Sequence, residues 1–213
     1  MHDIVNNLTL INKELIAINS NTKIIAVSKT FSIDHIRPAI EHGHIHFGEN
    51  KVQEAAEKWT KVKEKNSSLK LHLIGKLQTN KVKFCLPLFD FIHSLDSIKL
   101  ADKIANEQIK KNFKPKIFIQ VNIGNEEQKS GVNKSSVPDL YSYCKALKLD
   151  VVGLMCIPPL EKSSDFFFKE MNTLNKNLDL DELSMGMSSD YLNAIKNSAT
   201  YVRIGSKIFG ERS

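Results

Sequence analysis

From Ile4 to Ile18 apolar residues recur at helical spacing, and the chain then changes period: TKIIAVSKT carries a short continuous apolar run that reads as a buried strand. The same switch repeats along the chain. SIDHIRPAIEHG reads as a helix with Ser32 as N-cap and Gly43 at its end, and HIHFGEN as a strand running into a polar turn. KVQEAAEKWTKVKEK is rich in strong helix formers, LKLHLIG is a strand, and LQTNKVKFCL reads as a helix. FDFIHSLD is the next strand, followed by a helix through IKLADKIANEQIKK. KPKIFIQVN is an apolar strand with Pro115 near its start, where a missing donor is tolerated. A polar, glycine-flanked loop, IGNEEQKSGV, leads to a helix near PDLYSYCKALK and to the strand LDVVGLMCI, stopped by Pro158 and Pro159. The rest reads as a helix over 163–177, a short strand DELSM, a helix SSDYLNAIKN, a strand YVRIGS and a final turn KIFGERS.

These are eight strands, beginning near residues 24, 45, 71, 90, 116, 150, 182 and 200, each followed by a helix or helical turn. Parallel strands covered on both faces read as apolar runs, as IIAV, LHLI, IFIQV and VVGLM do. The pattern predicts an α/β protein built as one (β/α)8 TIM barrel spanning residues 1–213, with no linker to mark a second domain. A doubly wound open sheet is the alternative, but it leaves one or two units unplaced.

Composition narrows the class. With 41% hydrophobic and 25% charged residues, the chain is neither disordered, collagenous nor membrane-embedded. Its longest nearly apolar run, VVGLMCIPPL, is half a membrane span, and no export signal is visible. Cys85, Cys144 and Cys156 form no CxxC pair, so a reducing cytoplasm is expected. The net charge of +6 invites a nucleic-acid reading, but the lysines are scattered and often neighbour acids, so no nucleic-acid partner is expected. His42, His44 and His46 alternate along one stretch with no carboxylate or cysteine to complete a ligand set, and no metal is predicted. Only Arg37, Arg203 and Arg212 of the 30 basic residues are arginine, which singles them out where guanidinium geometry matters.

In such barrels chemistry sits where strands end and βα loops begin. Here those ends are polar: Ser28 and Lys29, Glu49 and Asn50, Gly75 and Lys76, Gln120 and Asn122, then Arg203, Gly205 and Ser206. Lys29 terminates an apolar run, and desolvation there favours a neutral amine able to attack an aldehyde; the plainer reading is a solvated lysine. MGMSSD and IGSKIFG follow the last two strands, where phosphates often bind, although Ser188 serves equally well as a helix cap. Arg203 stands in an otherwise apolar strand and needs a partner, either a ligand such as the ring nitrogen of pyridoxal phosphate or a carboxylate such as Glu49.

AVSKT, HFGENKVQE, LHLIGKLQTNK, IQVNIGNEEQKSGV, GLMCIPP, LSMGMSSDY and VRIGSKIFGER, in this order, resemble the pyridoxal phosphate homeostasis protein family, from about Lys23 to Arg212. That family is similar to the N-terminal barrel of bacterial alanine racemase, so the resemblance implies a fold-type III barrel holding pyridoxal 5'-phosphate (PLP). It implies Lys29 as the Schiff-base lysine, Asn50 near the ring or its hydroxyl, and Met155 near the attachment region. Ser188, Gly205 and Ser206 then meet the phosphate and Arg203 the ring nitrogen. Cys156 departs from the pattern, where a small residue is expected, and raises a question of redox sensitivity. His72, Gln78, Asn80 and Lys81 are secondary candidates at the third strand end.

The function implied is a cytoplasmic, monomeric, non-catalytic PLP carrier serving vitamin B6 and amino-acid homeostasis, with PLP-dependent apo-enzymes as candidate partners and no membrane association. The alternative is an amino-acid racemase on the same site. Racemisation needs acid/base groups on both faces of the α-carbon. Lys29 supplies one, and Tyr141, Tyr143, Tyr191 and Tyr201 do not map to the barrel mouth.

Overall fold

Apolar runs become strands and amphipathic stretches become helices, alternating after an opening helix except where the strand Lys116–Asn122 is followed by the short strand Val132–Asn133. The computed structural model describes residues 3–18, 20–159 and 163–211. The strands are β1 (Lys23–Val27), β2 (His46–Glu49), β3 (Lys70–Leu73), β4 (Phe91–Leu95), β5 (Lys116–Asn122), β6 (Val132–Asn133), β7 (Asp150–Cys156), β8 (Glu182–Ser184) and β9 (Tyr201–Ile204). The helices are α1 (Asp3–Ala17), α2 (Ile33–Glu41), α3 (Val52–Lys65), α4 (Val82–Cys85), α5 (Ile98–Lys111), α6 (Val137–Ala146), α7 (Ser164–Asn177), α8 (Tyr191–Lys196) and α9 (Ser206–Phe209). All strand pairings are parallel. The order β4-β3-β2-β1-β9-β8-β7-β5 is closed by β4 against β5, giving the expected eight-stranded barrel.

Local chemistry sets the element ends. Ser32 caps α2 by accepting from the His35 amide, and Ser97 caps α5 by accepting from the Leu100 amide. Gly43, past the end of α2, has φ +88°, which glycine adopts without a Cβ penalty. Arg37 makes an exposed ion pair with Asp34, and Arg212 lies outside the described residues.

Two segments differ from the sequence reading. LQTNKVKFCL is not one helix: a 3-10 turn, Thr79–Lys81, precedes the four-residue α4. The chain leaving β3 first passes against the Asn50 backbone, where a Cβ on Gly75 would sit 2.3 Å from the carbonyl oxygen, so helix begins only after that crossing. β6 lies at the end of the segment expected to be a loop. The Asn122 side chain donates to the Glu126 carbonyl at 2.8 Å and accepts from its amide at 3.1 Å, folding the loop back. Gly131, at φ +118°, then brings the chain alongside β5.

The core has two compartments. Between strands and helices lies a continuous apolar shell that includes Leu8, Ile36, Phe47, Trp59, Phe89, Ile104 and Phe168, all essentially inaccessible. Each such side chain contributes about 1.5–3 kcal/mol by leaving water. Phe167 and Phe168 pack into this shell, while Phe166 is exposed. The second compartment is the barrel interior, where Ile25, Phe91, Phe118, Met155 and Tyr201 cluster. Cys85, Cys144 and Cys156 are free and buried. Burial pushes the Cys144 and Cys156 thiols up to about 12 and the Cys85 thiol higher still, so Cys156 is not poised for oxidation.

Candidate functional site

Lys29 lies just past β1 on a loop fastened from outside the barrel by α3. The Lys58 ammonium donates to the carbonyls of Ser28 and Phe31, at 2.9 Å each. It also pairs with the fully buried Glu49 carboxylate at 2.8 Å. The same carboxylate oxygen accepts from Ser28 Oγ at 2.7 Å and from Trp59 Nε1 at 2.9 Å. Glu54 accepts the Thr30 amide at 2.7 Å, across a β-branched residue held at φ +71°. That conformation costs about 1–3 kcal/mol and persists because α3 holds the loop on both sides of Lys29.

Lys29 and Asn50, both half-buried, line a cavity of about 670 Å³ at the C-terminal mouth of the barrel. Ser188, Arg203, Gly205 and Ser206 line the same cavity, so six of the seven candidate residues converge on one space. Met155 does not line it; it is fully buried in the interior cluster beneath. Ser189, in the same MGMSSD loop as Ser188, lines the cavity too; the sequence reading missed Phe31, Ile74, Ile157 and Met187, which also form part of the wall. Ile74, directly after β3, and Ile157, directly after β7, had a visible signal, their positions at a strand's C-terminal end. Gly75, Lys76, Gln120 and Asn122 instead border an adjoining cavity of about 330 Å³ that shares Asn50, Ile74 and Ile157 with the first.

Ser206 Oγ and Ser188 Oγ are 3.3 Å apart, so the loops after β8 and β9 present hydroxyls side by side. Asp190, not Ser188, stands at the N-cap of α8. Arg203 is buried. Its guanidinium donates to Ser184 Oγ and to the Cys156 carbonyl, at 2.8 Å each, and not to Glu49, which Lys58 engages on the other face of the sheet. Among the described residues no carboxylate lies within ion-pair distance of Arg203, although the field of Asp190 reaches it.

The secondary candidate His72 is not at the mouth. It is fully buried inside the barrel, stacked on Phe91 and hydrogen-bonded to His46 and His93. The three alternating histidines divide: His42 flanks the end of α2, His44 bonds the His46 carbonyl, and His46 joins this interior chain.

Comparison with known proteins fits this architecture. The family model for the alanine racemase N-terminal domain matches residues 2–213. A pyridoxal phosphate homeostasis protein of Aquifex aeolicus is 41% identical over 200 residues, covering 89% of this chain and 87% of that one. The solved structure of PipY of Synechococcus elongatus with PLP bound superposes with a TM-score of 0.85 at 32% identity, covering 97% of this chain and all of that one. An alanine racemase of Clostridium difficile shares the fold, with a TM-score of 0.77 at 14% identity, and this chain spans only 57% of its length. By sequence over nearly its whole length, and by the closed barrel it forms, this chain belongs to the pyridoxal phosphate homeostasis protein family.

Proposed function

We propose that this chain binds PLP in the mouth cavity, with Lys29 as the point of covalent attachment, and that it serves PLP and amino-acid homeostasis as a carrier rather than as a catalyst. The observation that carries the reading is the set of groups on one cavity: a lysine amine, paired serine hydroxyls and a buried guanidinium with no carboxylate partner among the described residues. A buried cation without an anionic partner is costly, and a bound anionic ligand offsets that cost. When bound, the cofactor supplies an aldehyde and an electron-withdrawing pyridine ring.

In this reading Ser188, Ser206 and the backbone at Gly205 hold the phosphate, all three lining the same cavity. Asn50 meets the ring or its hydroxyl, Arg203 meets the ring nitrogen, and Met155 supports the floor from below. A guanidinium donor keeps that nitrogen largely unprotonated and weakens the ring as an electron sink.

The carrier reading is favoured over a racemase by the rest of the wall. Besides Lys29, the titratable groups lining the cavity among the described residues are Arg203 and Glu211, and Glu211 is exposed. None of the tyrosines contributes: Tyr201 is in the barrel interior, Tyr191 bonds Glu14 and Lys207, and Tyr143 bonds Asp102.

The test is an absorption spectrum of the protein incubated with PLP, before and after borohydride reduction, followed by peptide mapping. A reducible visible band and a single label on Lys29 are expected. No band, or equal labelling of another lysine, would overturn the assignment. Turnover of alanine at about 1 to 1,000 per second would replace the carrier with the racemase.

A further inference from the structure

Five strands place a continuous polar chain through the otherwise apolar barrel interior. Arg203 on β9 donates to Ser184 Oγ on β8 at 2.8 Å. Ser184 Oγ lies 2.9 Å from His93 Nδ1 on β4. His93 Nε2 lies 2.8 Å from His72 Nδ1 on β3, and His72 Nε2 lies 2.9 Å from His46 Nδ1 on β2. Ser184, His72 and His93 are fully buried, and His46 is half-buried at the start of its strand.

We infer that this chain is a positioning relay for Arg203, in which the guanidinium sets one tautomer, Nε2–H, on all three histidines. The inference rests on the PLP reading only for its consequence at the cofactor ring. An arginine can donate but not accept. Ser184 therefore takes Arg203's proton on a lone pair and must place its own hydroxyl proton elsewhere. Among the described residues its other neighbour within hydrogen-bond distance is His93 Nδ1, which must accept. His93 then carries its proton on Nε2 and donates to His72 Nδ1, and His72 in turn donates from Nε2 to His46 Nδ1. The reverse direction would leave the Ser184 proton buried without a partner, and an unsatisfied buried donor is penalised.

Two features keep this direction fixed. His72 stacks on Phe91 at 4.1 Å with an interplanar angle of 9°, and His93 on Phe118 at 4.2 Å and 16°, so neither ring can flip to exchange its nitrogens without breaking a stack. The rings are also neutral, as the argument requires: burial holds both His72 and His93 well below the ordinary histidine range. The charged groups acting on them are Arg203 at His93, and Lys23, Lys70 and Asp90 near His46. A neutral relay anchors the guanidinium while leaving its positive charge unpaired toward the mouth. A carboxylate in place of Ser184 would anchor it equally well and consume that charge.

Nitrogen-detected spectra of histidine-labelled protein, taken before and after incubation with PLP, test this directly. His46, His72 and His93 are all expected to show the Nε2–H signature near pH 7.5 in the unliganded protein. In Ser184→Ala the His93 signature is expected to become mixed and PLP affinity to fall about tenfold, the scale of one hydrogen bond to a charged group. Ser184→Thr, which keeps the hydroxyl, is expected to restore both. An Nδ1–H signature at His72 or His93 in the wild type would overturn the relay, as would an unchanged His93 signature in folded Ser184→Ala. If PLP does not bind, the proposed function falls, and the unliganded spectra still decide the relay.

Discussion

The two faces of one sheet do different work. Outward-facing side chains meet the helices in a shell that is almost wholly apolar, whereas inward-facing ones combine five apolar residues with Ser184, His72, His93 and Arg203. The shell is interchangeable in kind, since any well-packed aliphatic or aromatic set of the right volume holds a barrel together. The interior is specific, since each polar group there is satisfied by particular named neighbours, in a line that ends at Arg203 on the cavity wall. Stability and binding should therefore be separable by choosing which face to mutate.

The largest expected effect of this separation is at Lys29. Lys29→Ala should abolish the borohydride-fixed adduct entirely while changing unfolding stability by less than about 0.5 kcal/mol, because the side chain is half-buried and lies outside both core clusters. Mass spectrometry of the reduced protein and a urea titration measure the two halves. A large stability loss would tie the mouth to the core and blur the distinction.

Phe168→Ala tests the opposite face. Deleting a fully buried ring from α7 should cost about 3–5 kcal/mol of stability, read as a lower denaturation midpoint. PLP affinity of the folded fraction should be unchanged, because Phe168 does not line the cavity. A matching loss of affinity would show that the shell shapes the mouth.

Third in size is the response to acid. His44 and His46 are each lowered to about 4, and His72 and His93 are well below the ordinary value, in every case first because burial disfavours the charged ring. An unfolded histidine titrates near 6.5. Between about pH 6.5 and pH 4 the unfolded chain thus binds protons that the folded chain does not, and stability falls as pH falls. The urea midpoint should be lower at pH 5 than at pH 7, before most carboxylates titrate. Equal midpoints would mean that the interior rings carry charge in the folded protein.

The smallest effects belong to the hydroxyls. Ser188→Ala and Ser206→Ala should each weaken PLP binding by about 0.5–1.5 kcal/mol, with little change in stability. The two losses should not add, because the hydroxyls are in contact. Unphosphorylated pyridoxal should be affected less, and equal losses for both ligands would remove these serines from the phosphate site.

The shell was legible in the sequence and the interior was not. Continuous apolar runs such as IIAV announce strands covered on both faces, and their polar termini announce the mouth, so Lys29, Asn50, Ser188 and Ser206 could be chosen before any contact was known. His46, His72 and His93 each stand in a different strand, 26 and 21 residues apart in sequence, and only barrel closure brings them into one line. The alternative that paired Arg203 with Glu49 fails for the same reason. Glu49 lies on a strand close to Arg203 but faces outward to Lys58 and Trp59, and period-two alternation decides such a question only once the register is known. Met155 sits one layer below the cavity because inward side chains stack in tiers, and a sequence gives the face without the tier.

The three buried thiols make the molecule its own clock for opening. A thiol held near 12 is almost entirely protonated at neutral pH, so an alkylating reagent reacts only with molecules in which that cysteine has become exposed. All three sit in the shell, Cys85 at α4, Cys144 at α6 and Cys156 at the end of β7, but only the Cys156 backbone is tied to the mouth, its carbonyl accepting from Arg203. Their separate labelling rates would time the breathing of the helical coat and of the mouth within one unmodified chain, and a ligand seated against Arg203 should slow the third rate more than the first two.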